Sequence, residues 1–285
     1  MTSAAQGEAI RRVGVIGLGR MGLPMAGHLI RAGFVVGGFD LDPQRRASLV
    51  GIGGIQVSSV PALVETSDAV LVLVADDAQV VSVTVNPGGV LETAEPGSVV
   101  IISSTVKPST VQAVADAAAR KGVGVLDAPV ARGQRAAEAG TLTVFAGGKR
   151  SLFERCRPVF EAFGKEIVHI DERVGAGQVA KLVNNLILWA GVVAVHEALS
   201  LAERLGVDPA RLRAALQHGS ADSYVLRELH LINLTWPHKD IDQALEVAAE
   251  AGYDLPLTNS VGTLIRRLTR EELQRLCGED RKGLQ

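Results

Sequence analysis

Residues 12–33 read RVGVIGLGRMGLPMAGHLIRAG, and this stretch decides the fold. An apolar, β-branched run leads straight into Gly17-Leu18-Gly19-Arg20-Met21-Gly22, and apolar residues then recur at helical spacing from about Met21 to Ala32. Strand, glycine turn and helix in immediate succession open a βαβ unit. In such a turn Gly17 permits the tight bend and Gly19 removes a side chain where backbone meets a pyrophosphate. Gly22 lets helix pack on strand, so the phosphates sit at a helix N-terminus. The next strand-like run, FVVGGFD, ends on Asp40, 23 positions beyond Gly17 and close to the spacing of about 20 expected for a partner of the adenosine ribose. Gly17, Leu18, Gly19, Arg20, Met21, Gly22 and Asp40 therefore predict a dinucleotide site. Asp40 would repel a 2′-phosphate, which favours NAD over NADP. Arg45 and Arg46 leave the alternative open: they read either as partners for that phosphate or as exposed helix residues.

Outward from this unit, apolar runs recur with helical patterns between them: DAVLVLVA, SVVIISST, VGVLDAPV, TLTVFAGG and EIVHI. Short runs that are apolar on both faces mean a parallel sheet covered on both sides. The spacing predicts a doubly wound α/β half to about residue 171, with the stretches near 142–146 and 166–169 as a mixed edge. Beyond Arg173 no strand-like run returns. Helical periodicity continues from about Ala176 to Leu205, with Gly206 placed as a C-cap, a rod of about 45 Å. Ala190, Gly191, Ala194 and Ala198 would let a neighbouring helix approach closely. Asp208-Pro209 reads as an N-cap with proline at the first helical position, and two or three shorter helices are expected to about residue 275. The fold class is thus α/β: a Rossmann-type doubly wound domain over 1–172, then an all-helical substrate and oligomerisation domain over 173–285 built on one long helix.

Composition narrows the function. Across 285 residues, hydrophobic residues make up 47% and charged residues 21%, as in a globular chain. Lys plus Arg number 29 against 31 Asp plus Glu, and aromatics are 4%, so neither a polybasic footprint nor an aromatic stacking surface points to nucleic acid. Cys156 and Cys277 are too few for a disulfide framework and lack zinc-site spacing, which suits a reducing cytoplasm. Residues 1–12 lack the apolar region of a secretory signal and read as a frayed tail. The longest wholly apolar run, Leu186 to Val195, is ten residues, short of the roughly 18 needed to span a bilayer, and reads as a buried core helix. His196-Glu197 lacks the second histidine of a zincin, since position 200 is Ser200, and His218, His230 and His238 show no ligand spacing. No metal site and no membrane or nucleic-acid partner is expected. Trp189 reads as core or interface.

Five blocks in order carry a resemblance: GLGRMGLPMA at 17–26, SSTVKP at 103–108, DAPV at 127–130 with the following AEAGTLTVFAGG, GAGQVAKLVNN at 175–185, and KDIDQALEVAAEAG at 239–252. Together they resemble the β-hydroxyacid dehydrogenase family, which includes 3-hydroxyisobutyrate dehydrogenase and 2-hydroxy-3-oxopropionate reductase and has a 6-phosphogluconate dehydrogenase-like C-terminal domain. The resemblance covers nearly the whole chain. It implies hydride transfer between NAD(P) and a small 3-hydroxyacid or semialdehyde, with Lys181 as acid/base. It also implies that Asn185, with its neighbour Asn184, binds substrate. Lys181 and Asn185 stand at i and i+4, on one helical face. Ser104 and Thr105 are implied to lie near the nicotinamide, Val74 and Ala75 to border the cofactor, and Lys239 to approach from the C-terminal domain.

The chain departs from the family where a serine hydroxyl and two glycines would hold the substrate carboxylate: it has Ala131-Arg132-Gly133. Gly133 keeps the close-approach role. Arg132 reads two ways, as a charged fork replacing the lost contact or as a solvent-facing residue beside a substrate without that carboxylate. The stretch from about Leu226 to His238 looks shorter than the family's, which would open the pocket. Acid/base work requires Lys181 to lose and regain its proton, which burial or a positive nicotinamide nearby would favour. Against that stands a lysine that merely snorkels from a helix start. Two other functions remain at this point: an imine reductase, whose equivalent position often lacks lysine, and a protein that senses NAD without turnover. The long apolar helix suggests a homodimer or homotetramer.

Overall fold

Nine strands form one sheet among residues 9–278, the part of the chain that the computed structural model describes. They are β1 (Arg12–Ile16), β2 (Val35–Phe39), β3 (Ile55–Gln56), β4 (Ala69–Val72), β5 (Val99–Ile102), β6 (Gly124–Asp127), β7 (Val130–Ala131), β8 (Leu142–Gly147) and β9 (Gly164–Asp171). The order is 3-2-1-4-5-6-8-7, with β9 paired to β8. From β3 to β6 every pairing is parallel; β6 and β7 meet β8 antiparallel, and β8 and β9 run parallel, so the mixed edge expected from the sequence is present. Most of the N-terminal tail expected ahead of β1 lies outside the described residues.

Alternation along the buried strands builds the two layers. Val13, Val15, Leu71, Ile101 and Leu126 face Met25, Leu29, Phe153 and Phe160, whereas Ile16, Val70, Val72, Val100 and Ile102 face Leu63, Val111 and Val114. Successive residues of a strand point to opposite faces, so a sheet with helices on both sides needs apolar residues at every position. β1 is flanked by β2 and β4, and strand order reverses there. Ligands of open α/β sheets bind at that reversal, beyond the carboxyl ends of the strands.

The described residues divide into two compact units between Lys181 and Leu182. The helix Ala176–Arg204 crosses that division. It stops where expected: Gly206 takes φ +80°, its N–H bonds Glu203 O at 3.0 Å, and Val207 N bonds Ala202 O at 3.0 Å. Asp208 caps the helix Pro209–Leu216 by accepting from Ala210 N (2.9 Å) and Arg211 N (3.2 Å). The remainder corrects the expectation of two or three short helices. Pro209–Leu216 is followed by Tyr224–Glu228, a 3-10 turn at Leu229–Leu231, Pro237–Glu250, Pro256–Ile265 and Arg270–Leu276. Each further helix starts on a local signal: the Ser223 cap, proline at Pro237 and Pro256, and a capping box between Thr269 and Glu272.

One face of the long helix builds the second unit's core, in which Trp189, Val192, Val193 and Leu199 pack with Val225, Leu229, Ile241, Val261 and Ile265. The Trp189 indole N–H donates to Asp240 Oδ2 at 3.0 Å, which makes Trp189 a core residue. The run Leu186–Val195 is not wholly buried as expected. Ile187 is 70% exposed, and Val179 and Val183, eight and four residues before it, are exposed too. A helix holds only part of its circumference against one layer, and among the described residues the opposite stripe has no layer to cover it.

Candidate active site

The glycine turn is shaped by contacts that exclude any side chain. Gly17 lies at φ +94°, and a Cβ there would stand 2.2 Å from Leu73 O; a Cβ on Gly22 would stand 1.9 Å from Gly17 O. Between them Gly19 is open, its nearest such neighbour being Arg45 Nη1 at 3.7 Å. The helix Gly22–Arg31 has no side-chain N-cap and no acidic residue in its first turn, which leaves its positive end for an anion. Asp40 is buried beside the turn: its Oδ2 accepts from Leu18 N at 2.8 Å and its Oδ1 from Asp42 N at 2.9 Å. This open cradle, with a carboxylate at its edge, fits a dinucleotide's pyrophosphate and ribose. Arg45 reaches Asp40 Oδ2 at 3.4 Å and Asp42 Oδ2 at 3.6 Å, and Arg46 donates to the carbonyls of Asp40 and Leu41. Exposed Arg20 and half-buried Met21 complete the turn.

A buried hydrogen-bond chain joins the ends of β4, β5 and β6 to the long helix. Ser104 Oγ accepts from Val74 N at 2.8 Å, which holds Val74 and the exposed Ala75 against the start of the SSTVKP segment, where Thr105 is half-buried. Gln178, 2% exposed, accepts from Val106 N at 3.1 Å and donates to Ser104 O at 2.9 Å. Asp127, fully buried at the end of β6, accepts from Gly175 N at 2.7 Å and Gln178 N at 2.8 Å, and so caps the first turn of the long helix from a distant strand. Burial pushes the Asp127 carboxyl above its ordinary value, against backbone N–H groups that pull it down. Half-buried Lys181 stands three residues beyond Gln178, on a helix whose first turn is thereby fixed to the C-terminal ends of β5 and β6. Asp127 and Gln178 lie in the DAPV and GAGQVAKLVNN blocks, but neither stands out in the sequence as a site residue. A buried-type pattern broken by an acid at a strand end was the available signal.

Arg132 is the one described residue other than glycine with positive φ, at +84°, and Gly133 follows at +71°. Arg132 is exposed and, among the described residues, has no hydrogen-bond or ion-pair partner. No hydrogen bond ties it to the other expected site residues. In the second unit, Asn185 is 5% exposed and accepts from Asn184 Nδ2 at 3.0 Å, and half-buried Lys239 stands in the first turn of the helix Pro237–Glu250, next to the Asp240 that holds Trp189. Cys156 is buried in the first unit, where burial pushes its thiol up to about 12, far from a nucleophile's range.

Residues 12–171 match the family model of the NAD binding domain of 6-phosphogluconate dehydrogenase, and residues 175–276 match that of the NAD-binding segment of NADP-dependent 3-hydroxyisobutyrate dehydrogenase. The chain belongs to the β-hydroxyacid dehydrogenase family. Similar proteins include 2-(hydroxymethyl)glutarate dehydrogenase of Eubacterium barkeri, 34% identical with 87% of this chain and 85% of that protein covered. A second is 3-hydroxyisobutyrate dehydrogenase of Pseudomonas aeruginosa, 38% identical over 79% of this chain and 74% of that protein. Among solved structures, the 3-hydroxyisobutyrate dehydrogenase of Mycobacterium tuberculosis with L-serine superposes with a TM-score of 0.84 at 27% identity, covering 95% and 99% of the two chains. Family membership makes this β-hydroxyacid dehydrogenase homologue a nicotinamide-dependent oxidoreductase that acts on the CH–OH group of small hydroxyacids. An imine reductase of Streptomyces aurantiacus, at 20% identity and a TM-score of 0.64, shares the fold.

Proposed function

We propose that this protein is an NAD-preferring 3-hydroxyacid dehydrogenase or semialdehyde reductase in which Lys181 is the general acid/base. The observation that carries this reading is the locked first turn of the long helix: Asp127 and Gln178 hold it against the sheet end, and Lys181 projects one turn later. The nicotinamide, when bound, supplies or takes up the hydride. In oxidation the Lys181 amine takes the proton from the substrate hydroxyl; in reduction its ammonium protonates the nascent alkoxide. Asn185, with Asn184, presents amide groups one turn further along, suited to holding the substrate's polar substituents. Arg132 offers a carboxylate two parallel N–H donors while Gly133 keeps the backbone approachable. Ser104, Thr105, Val74 and Ala75 shape the cofactor's side of the site, and the family resemblance assigns Lys239 a cofactor contact as well.

The preference for NAD rests on Asp40, Arg45 and Arg46. Both guanidiniums are engaged by Asp40, Asp42 or backbone carbonyls, so a 2′-phosphate would meet two carboxylates before it met a free cation. NADH is expected to bind more tightly than NADPH in a fluorescence titration, and the reverse order would remove this assignment.

The exposed stripe of Val179, Val183 and Ile187, with Leu201 and Leu205 further along, suits a second copy of the chain, which sedimentation would reveal as a dimer or tetramer. Turnover is tested with 3-hydroxyisobutyrate, glycerate, L-serine, L-threonate and 2-(hydroxymethyl)glutarate. Lys181→Ala should lower kcat about 100-fold or more on the best of these while NADH affinity is unchanged. Retained turnover in that variant would take the lysine out of the mechanism.

A further inference from the structure

We infer that His28 is a positioning residue through which the helix that begins at the glycine turn sets the Ala131-Arg132-Gly133 turn. The inference rests on the substrate role proposed above for that turn. His28 stands in the last turn of the helix Gly22–Arg31, and its Nε2 lies 3.0 Å from the Glu138 carbonyl oxygen. Glu138 belongs to the short helix Gly133–Ala139, whose first residue is the substrate turn's own Gly133. The Glu138 carboxylate is already taken by Gln134 Nε2 at 2.8 Å, so the backbone is what His28 holds. The contact is fitted on both sides. Gly140 closes the short helix at φ +67°, and a Cβ there would lie 2.5 Å from His28 Cε1 and 2.8 Å from its Nδ1. The imidazole therefore occupies space that a side chain at position 140 would need.

This arrangement clamps the turn at two points. On its N-terminal side Val130 and Ala131 pair with Val144 and Thr143 in the sheet. On its C-terminal side the short helix is held by His28. Between the clamps lies Arg132, in a left-handed conformation that costs a non-glycine residue of order 1 kcal/mol and persists only where the surroundings enforce it. A guanidinium fork needs its partner within about 0.5 Å and 10–20°, and nothing else in the described residues holds the Arg132 side chain. Removing the second clamp should loosen substrate binding without touching the proton transfer assigned to Lys181.

The test uses the full-length protein and the panel substrate that the wild type turns over most efficiently. His28→Ala should raise KM about fivefold or more, with kcat within about twofold and NADH affinity unchanged. His28→Gln retains an N–H donor and should recover at least half of that increase. In an Arg132→Ala background, His28→Ala should add almost nothing to KM, because the group it positions is gone. An unchanged KM, an effect carried by kcat or NADH affinity, or an equal KM increase with and without Arg132 would overturn the inference. Should His28→Ala not fold, Gly140→Ala supplies the same readout by pushing the imidazole aside, and a KM left at the wild-type value would overturn the inference equally. If the wild type binds NADH yet turns over no hydroxyacid, the substrate role of the turn fails first and the inference falls with it; if the wild type is active and only the His28 series is silent, the inference alone fails.

Discussion

The glycine turn at 17–22 and the Ala131-Arg132-Gly133 turn both bend the chain through positive φ directly after a strand, yet they are held to their sequences by different forces. In the first, backbone of Leu73, just past β4, and of the turn itself occupies the space of any Cβ at Gly17 or Gly22. In the second, a Cβ on Gly133 would meet nothing within 4 Å, and position 132 already carries an arginine at φ +84°. Packing dictates the residues of one turn and leaves those of the other unconstrained. A turn of the second kind can change its side chains and keep the fold; one of the first kind cannot.

Placing the same methyl in both turns puts that contrast to its hardest test. Gly22→Ala should cost about 3 kcal/mol or more and abolish NADH binding, because its neighbour is backbone that cannot yield. Gly133→Ala should cost only about 1 kcal/mol, from the left-handed φ, and should act chiefly on substrate KM. Urea midpoints and NADH titrations of the two variants would be read side by side, and equal losses would erase the distinction.

Asp127 lies four residues before Ala131 but should behave like the first turn. Asp127→Ala strands the N–H groups of Gly175 and Gln178 in a dry site, a loss of about 2–3 kcal/mol at neutral pH. Its pH dependence has a defined sign. The native carboxyl titrates above the ordinary 3.8, so on acidification the folded protein takes up this proton before the unfolded chain does. The wild type's advantage over Asp127→Ala is therefore expected to grow as pH falls through the raised value toward 3.8, and to shrink as pH rises again. A gap that widens with rising pH would show that the carboxylate, rather than the acid, is the form the fold prefers.

Much of this molecule was legible from local signals. The strand, glycine turn and helix at 12–31, the Gly206 stop and the Asp208 cap depend on neighbours in sequence, and each stands where residue order places it. More C-terminal helices form than the sequence predicts, although Ser223, Pro237, Pro256 and the Thr269–Glu272 box mark their starts, because Tyr224–Glu228 and Arg270–Leu276 are too short to show periodicity. The Asp127–Gln178–Ser104 chain joins residues 51 and 74 positions apart, and no local pattern reports such a pair. The exposed stripe at Val179, Val183 and Ile187 was hidden for another reason: apolar residues all round a helix look the same whether this chain or a second one covers them.

The smallest expected effect is also the one that separates the two turns by sign. Arg132→Gly removes a side chain from a left-handed position, where glycine carries no penalty, and no hydrogen bond or ion pair of Arg132 is lost with it. Stability should therefore rise, by up to about 1 kcal/mol, less whatever glycine's greater freedom adds to the unfolded chain. The same variant should raise KM for a carboxylate substrate, since the fork is gone while the backbone stays. A gain in urea midpoint together with a loss in kcat/KM is the signature of strain kept for binding. If stability fell instead, the arginine would be packing the turn, and its contrast with the glycine turn at 17–22 would be one of degree.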